Sequence, residues 1–311
     1  MNMFFAFVRV HGKAMCLVIV NLSQSQSKPI NLLNNIPVAR RAKLVDIEVK
    51  SVNMPRDLTK TQLFPGDFTM PPKSGLVLSF RLSASQNTRK PVDLYHNLVS
   101  SPSRGVRLAA KLIGVPLNLK SVDLAKQEQM QPFFLRMNPQ HTVPTMDDNG
   151  FYLSESRAIM TYLANRYGKH KNYLYPQDPE RRAVIDQRLY FDMGTLFQRF
   201  ADYWMPYMFA GAPLEEAKLK KLEEAFKFFD DMLKGSVFAA GDRITVADAA
   251  LVSSVSTIEA VGVIGVDNYP NVSRWYTNVK NAIPDYENTN QKGALAFNEF
   301  ANAMISKWKN A

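Results

Sequence analysis

One cysteine, Cys16, is the whole thiol content of the 311-residue sequence. A lone thiol can form neither a disulfide within the chain nor a cysteine-rich metal site, which fits a reducing compartment. It also leaves everything after residue 16 without a thiol nucleophile. Histidine is scarce too, with three of the four residues lying after residue 90. There is no Gly-x-Ser-x-Gly elbow, so a catalytic serine of the hydrolase kind is not expected. No apolar run approaches the roughly 20 residues that span a bilayer. Residues 3–8 and 14–20 are apolar but short, and Arg9, His11 and Lys13 interrupt them. Internal repeats are absent, and so is any acidic residue before Asp46. The formal charge of +10 is therefore unevenly spread: residues 1–90 hold 13 Lys+Arg against 4 Asp+Glu, and residues 91–311 hold 25 against 24. A near-neutral body argues against a broad phosphate-binding face, and so against nucleic acid as a partner.

The first 90 residues do not read as a domain. Their acid-poor, arginine-containing start is faintly like a transit peptide, and their short apolar run faintly like a signal peptide. They lack an Ala-x-Ala site and are long for either. The expectation for 1–90 is a mostly disordered extension or a gene-model addition with Met70 as an internal start. Mass spectrometry of the native N-terminus distinguishes these.

Regular patterning begins at Val92. Residues 92–96 read as a short strand, 97–101 as a loop, and Pro102 stands near a helix start, where its missing N–H costs nothing. That helix runs to about Ile113, stopped by Gly114 with Pro116 just beyond. Residues 117–124 alternate as a second strand, 131–137 form one short helix, and 141–146 are extended. Asp148-Asn149-Gly150 is a hairpin turn, with 151–153 as the returning strand. Ser154-Glu155-Ser156-Arg157 then opens a helix in which Ile159, Tyr162, Leu163 and Tyr167 define a buried face. The resulting order is β-α-β-α-β-β-α. After Asp178-Pro179 only helical periodicity remains, over 180–209, 214–233, 246–261, 272–283 and 294–308. Thr245-Val246-Ala247-Asp248 is a capping box.

Two stretches carry chemistry. In Val99-Ser100-Ser101-Pro102-Ser103-Arg104, hydroxyls precede a helix N-terminus at a strand end. They serve either as an N-cap, which serine commonly fills, or as donors to an anion placed where the first N–H groups of the helix lack partners. In 138–168, Pro144 cannot donate to a strand ladder and marks an edge, a bulge or a cis bond. An edge held open beside a helix N-terminus could pair with the backbone of a peptide-like ligand. Glu155 and Ser156 in that first turn are either an ordinary helix start or part of an anion site.

The run Asn138-Pro139-Gln140-His141-Thr142-Val143-Pro144-Thr145, followed by Glu155-Ser156-Arg157-Ala158-Ile159, closely resembles the glutathione-binding half of cytosolic glutathione transferases. The likeness is greatest to the insect delta class and extends from about Val92 to the C-terminus. The resemblance implies an α/β plus all-α fold class: a thioredoxin-like N-terminal domain over 91–170, then an all-helical C-terminal domain over 178–311 carrying a hydrophobic substrate pocket. It implies a cytoplasmic homodimer that conjugates the glutathione thiolate to hydrophobic electrophiles, with dehydrochlorinase or weak peroxidase side activity. Glutathione would be a co-substrate, with no prosthetic group, no metal and no membrane span.

By the same resemblance, Ser100 matches the residue that holds the glutathione sulfur. His141 matches the histidine near the glycine end of the tripeptide, with Thr142 beside it. Gln129 stands where many relatives have a second histidine, and it offers a hydrogen bond without a charge. Val143 matches the residue whose backbone pairs with the cysteinyl unit, ahead of a Pro144 that is cis in the family. Glu155 and Ser156 match the γ-glutamyl contacts, and Arg157 is their charged neighbour. Ser101 and Pro102 would line the pocket for the electrophile. Phe197, Met205 and Phe209 fall at positions lining that pocket in the delta class, with Phe200 and Met208 in the same stripe, although such a stripe is as a rule core packing. Asp192 matches a residue that reaches toward the ligand of the partner subunit across a two-fold axis.

Two other readings share this fold. A non-catalytic carrier of glutathione or hydrophobic ligands would be retained on immobilised glutathione yet show no turnover of an aryl halide. A subunit of a translation-factor complex would carry an additional C-terminal domain. Thiol-transfer enzymes of the wider superfamily are set aside, because the body has no cysteine.

Overall fold

The computed structural model describes residues 91–168 and 170–310 in full. Ahead of them it describes the backbone of six strands: β1 (Phe4–His11), β2 (Ala14–Asn21), β3 (Ile30–Asn31), β4 (Leu44–Val52), β5 (Asp67–Phe68) and β6 (Ser74–Leu82). Residues 1–89 and 90–311 are separate compact units.

In the first unit β1, β2, β6 and β4 form an antiparallel sheet in that order, and β3 pairs with β5. Strands thus occupy part of a stretch expected from sequence to be mostly disordered. The alternation Val8-Arg9-Val10-His11 ahead of a second apolar run is the sequence pattern that fits β1 and its antiparallel pairing with β2.

In the second unit β7 (Val92–His96), α1 (Ser101–Ile113), β8 (Leu117–Ser121), α2 (Pro132–Met137), β9 (Thr145–Asp148), β10 (Phe151–Leu153) and α3 (Ser156–Tyr167) follow the expected order. Their mixed sheet runs β10-β9-β7-β8. α1 ends where Gly114 adopts φ 87°, and both Gly114 and Val115 donate their N–H to the Ala110 carbonyl, at 2.8 and 2.9 Å. β8 stops short of the expected Leu124. Val122 N–H donates to the His96 carbonyl, and Asn97 Nδ2 takes the Val122 carbonyl at 3.0 Å, turning the chain off the sheet edge.

The helical half holds α4 (Pro179–Phe191), α5 (Gln198–Ala210), α6 (Glu216–Met232), α7 (Val246–Ala260), α8 (Pro270–Ala282) and α9 (Lys292–Lys309). The single long helix expected over 180–209 is broken by a π-turn at Asp192–Phe197, and a second π-turn at Glu287–Gln291 leads into α9. α7 is the centre of this half, buried on every side from Val246 to Ile258. Its capping box forms as read: Thr245 Oγ1 accepts Ala247 N–H, and Asp248 Oδ2 accepts Thr245 N–H at 2.8 Å. α1 packs on α3 and α7, so one core is continuous from the sheet to the helical half. No helix among the described residues is long and apolar enough to cross a membrane, and no cluster of three or more metal-ligating side chains occurs among them.

Candidate active site

Strand direction gathers the site before side chains are considered. β7 is parallel to β8 and antiparallel to β9, and β9 is antiparallel to β10. Tyr95 faces Thr145 across one pair, and Met146 faces Leu153 across the other. The ends of β7, β8 and β10 and the start of β9 therefore share one edge of the sheet. That edge collects Ser100 after β7, the Gln129 turn after β8, residues 141–144 before β9, and residues 154–156 after β10. The crevice outside the carboxyl ends of strands is where open α/β sheets bind ligands.

Ser100 is the N-cap of α1. Its Oγ accepts the Ser103 N–H at 3.3 Å, and its carbonyl accepts the Arg104 N–H at 3.1 Å. A hydroxyl carries two lone pairs and one proton. Capping uses a lone pair and leaves the proton of this half-buried side chain to be donated elsewhere. The two sequence readings of Ser100, cap and anion donor, are thus compatible. Ser101 is different: it is buried and its hydroxyl donates to Ser253 Oγ on α7 at 3.3 Å, so it contributes to the contact between α1 and α7. Pro102 is half-buried in the first turn of α1.

The Val143–Pro144 peptide is cis. The segment before it is held by Asn138, whose Nδ2 donates to the Thr142 carbonyl (3.1 Å), Thr142 Oγ1 (3.0 Å) and Thr145 Oγ1 (3.0 Å), while its carbonyl accepts the His141 N–H at 2.9 Å. His141 and Thr142 are exposed on this frame, and Val143 is half-buried. Asn138 is the residue that shapes the loop, and sequence reading missed it in that role. The available signal was the Asn-Pro pair, a turn former whose side chain bonds nearby backbone.

Glu155 occupies the N-cap position of α3 at φ 66°, in the left-handed region, and its side chain caps nothing. A non-glycine residue held there costs on the order of 1–3 kcal/mol, and such residues concentrate at binding sites. Its carboxylate is exposed, while Ser156 behind it is buried and accepts an Arg157 Nη1 hydrogen bond at 2.8 Å. Arg157 Nη2 pairs with Asp192 at the start of the π-turn. Asp192 is fully buried and bonds within its own chain, linking the helical half to the start of α3 rather than projecting outward. Arg157 Nε and Asp192 Oδ1 lack hydrogen-bond partners among the described residues, as does the buried Oε1 of Gln129.

The apolar stripe divides. Phe200 and Met208 have no exposed surface and belong to the core, where a pocket lining would need to be open. Phe197 is half-buried and packs on Phe200 with ring centres 6.0 Å apart. Met205 and Phe209 line a groove of about 620 Å³ between α5 and α6, together with Arg199, Asp202, Lys218 and Lys221. The structure therefore does not bring the five apolar candidates into one lining.

Residues 94–171 match the family model of the glutathione S-transferase N-terminal domain, and residues 186–282 match that of the C-terminal domain. A delta-class glutathione transferase of Nilaparvata lugens is 54% identical over 69% of this chain and 100% of its own, with a TM-score of 0.67. The chain belongs to the glutathione transferase family. It is a glutathione transferase, with a thioredoxin-like domain followed by an all-helical one, and it takes glutathione as co-substrate and not as a prosthetic group. An epsilon-class transferase of the housefly, Musca domestica, is 34% identical over 68% of this chain and 98% of its own, with a TM-score of 0.64. A transferase homologue of Drosophila mojavensis, solved with bound glutathione, is 32% identical over 68% of this chain and 97% of its own, again with a TM-score of 0.64.

Proposed function

We propose that this transferase ionises the glutathione thiol against Ser100 and conjugates it to hydrophobic electrophiles. The observation that carries the reading is Ser100 itself, capping α1 through a lone pair at the sheet edge where the cis-Pro144 segment and the start of α3 converge. The Val143 backbone pairs with the cysteinyl unit, His141, Thr142 and Gln129 flank the glycine end, and Glu155 takes the γ-glutamyl ammonium. Ser156 and the first turn of α3 take the γ-glutamyl carboxylate. The thiol proton leaves to solvent. Sulfur then forms a bond to the electrophilic carbon, and the leaving group departs with its electron pair.

The energetics need no further group. A free thiol has a pKa of about 8.5, and lowering it by about 2 units takes about 2.7 kcal/mol of preference for the anion. A hydrogen bond to a charged group supplies about 1.5–3 kcal/mol and a helix N-terminus about 0.3–1. Electrophiles of the detoxification type, halides open to dehydrochlorination and hydroperoxides fit a thiolate delivered beside the apolar helical half. We place the activity in residues 90–311, in the cytoplasm, and in a two-fold dimer.

Titrating the thiolate absorbance of bound glutathione tests this, together with turnover of an aryl halide. The wild-type thiol is expected to ionise well below its value in buffer. Ser100→Ala is expected to raise that pKa and to lower kcat/KM ten- to a hundredfold, about 1.4–2.7 kcal/mol of barrier. Unchanged turnover and thiol pKa in the variant remove Ser100 from the role.

A further inference from the structure

Arg104 lies on α1 one turn after Ser100 and is completely buried. Its five N–H groups make five hydrogen bonds. Nε donates to Asn290 Oδ1 at 3.0 Å, Nη1 to the carbonyls of Leu98 and Val99 at 3.2 and 2.9 Å, and Nη2 to the Ser253 carbonyl at 3.4 Å and to Thr257 Oγ1. All five acceptors are neutral. The titratable groups facing it are Arg107 on its own helix, Tyr276 on α8 and Tyr286 ahead of the second π-turn. Among the described residues no carboxylate pairs with it, whereas a buried arginine ordinarily has a counter-ion. Burial lowers its pKa to about 10, which leaves it charged at neutral pH.

The placement bears on the reaction. Leu98 and Val99 are the two residues before Ser100, and the Val99 carbonyl belongs to the peptide unit that carries the Ser100 nitrogen. The far side of the guanidinium is anchored on α7 and on the second π-turn. α9 closes over it so tightly that a Cβ on Gly293 would lie 2.5 Å from Arg104 Cδ and 2.6 Å from the Leu98 carbonyl oxygen. A unit charge in such a dry setting acts over a longer range than one in water, and here it stands behind the loop that presents the serine.

We propose that Arg104 is a positioning residue of the transferase: it clamps the Ser100 loop to the helical half and holds an unneutralised positive charge behind it, so that bound glutathione ionises more readily. The inference rests on Ser100 as the partner of the thiol.

The test is a titration of thiolate absorbance in the glutathione complex of the full-length protein, with a melting curve for each form. Arg104→Lys keeps the charge and is expected to leave the thiol pKa within about 0.3 units of wild type, even if turnover falls. Arg104→Gln removes the charge and is expected to raise it by about 1 unit, a tenfold loss of thiolate at a pH below both values. Asn290→Asp keeps the shape but sets a carboxylate against Nε, and it is expected to raise the pKa as well. Should Arg104→Gln fail to fold, Asn290→Asp decides alone. A wild-type thiol that ionises as in buffer overturns the Ser100 reading and this inference together. A depressed wild-type pKa that neither neutralising variant moves overturns the inference and leaves the Ser100 reading standing.

Discussion

Ser100 offers one lone pair to the Ser103 N–H and retains its proton, so its removal has two separable effects. Losing the cap costs about 1 kcal/mol of stability, whereas losing the donor acts on the thiol. Denaturant unfolding of Ser100→Ala should therefore show a small loss even where conjugation falls far more. His96, the last residue of β7, is a second residue whose role lies in burial. Its Nδ1 has no partner among the described residues, and burial, helped by the Arg107 charge, lowers its pKa to about 4. In the unfolded chain the imidazole titrates near 6.5. As pH falls, the unfolded state takes up the proton first, so this contribution to stability is whole above about pH 6.5 and is lost as pH drops toward 4. Urea midpoints at pH 7 and pH 4.5 should thus lie closer together in His96→Leu than in wild type, and an equal drop in both would assign the acid sensitivity elsewhere. Val143-Pro144 and Glu155-Ser156 were legible because each is a contiguous motif. Arg104 was not, since one arginine in a helix resembles another until the packing of α7 and α9 decides which is buried. The same holds for Phe200 and Met208, which share a stripe with exposed Phe209 and differ only in what covers them.

At the scale of elements, punctuation was readable and continuity was not. Pro102, Gly114 and Thr245 mark helix ends through backbone rules that act within four residues, and the structure places α1 and α7 accordingly. The π-turn at Asp192–Phe197 has no such mark, because apolar periodicity runs through it from α4 into α5. In the N-terminal strands, Arg9 and His11 interrupt an apolar run and also continue an alternating one, so the same residues fit a broken run and a strand. Asp248 shows how much one cap holds. Fully buried, it accepts N–H groups from Thr245 at 2.8 Å, from Ala239 at 2.7 Å and from the Trp275 indole at 2.8 Å, tying α7 to the preceding loop and to α8. Burial alone raises its pKa, and these donors oppose that shift. Asp248→Ala leaves three buried donors unpaired at about 1–3 kcal/mol each. It should destabilise the protein by at least about 3 kcal/mol in equilibrium unfolding, and a loss below about 1 kcal/mol would show that water or neighbouring groups replace the carboxylate.

At the scale of the molecule, five of the large apolar side chains exposed on the second unit lie on the elements around α3. Phe151 and Tyr152 lie on the edge strand β10, Val184 and Tyr190 on α4, and Met193 in the π-turn, all between 39% and 69% exposed. They flank α3 from two sides: Phe151 packs on Tyr162 of α3 at 5.0 Å between ring centres, and Met193 follows the Asp192 that pairs with Arg157 of α3. Exposed apolar side chains mark an interaction face where they join into one surface. A two-fold axis that sets the strand side of one subunit against the helical side of the other covers both groups at once, which is the isologous arrangement proposed above. Stable interfaces bury about 1,600 Å² in total, and a carboxylate placed inside one without a partner costs several kcal/mol. Wild-type protein should therefore sediment at twice the mass of the chain, while Phe151→Glu and Tyr190→Glu should each shift it toward the monomer at micromolar concentration with the helical content unchanged. If both variants sediment as wild type does, the two-fold axis lies elsewhere and these side chains await a different partner.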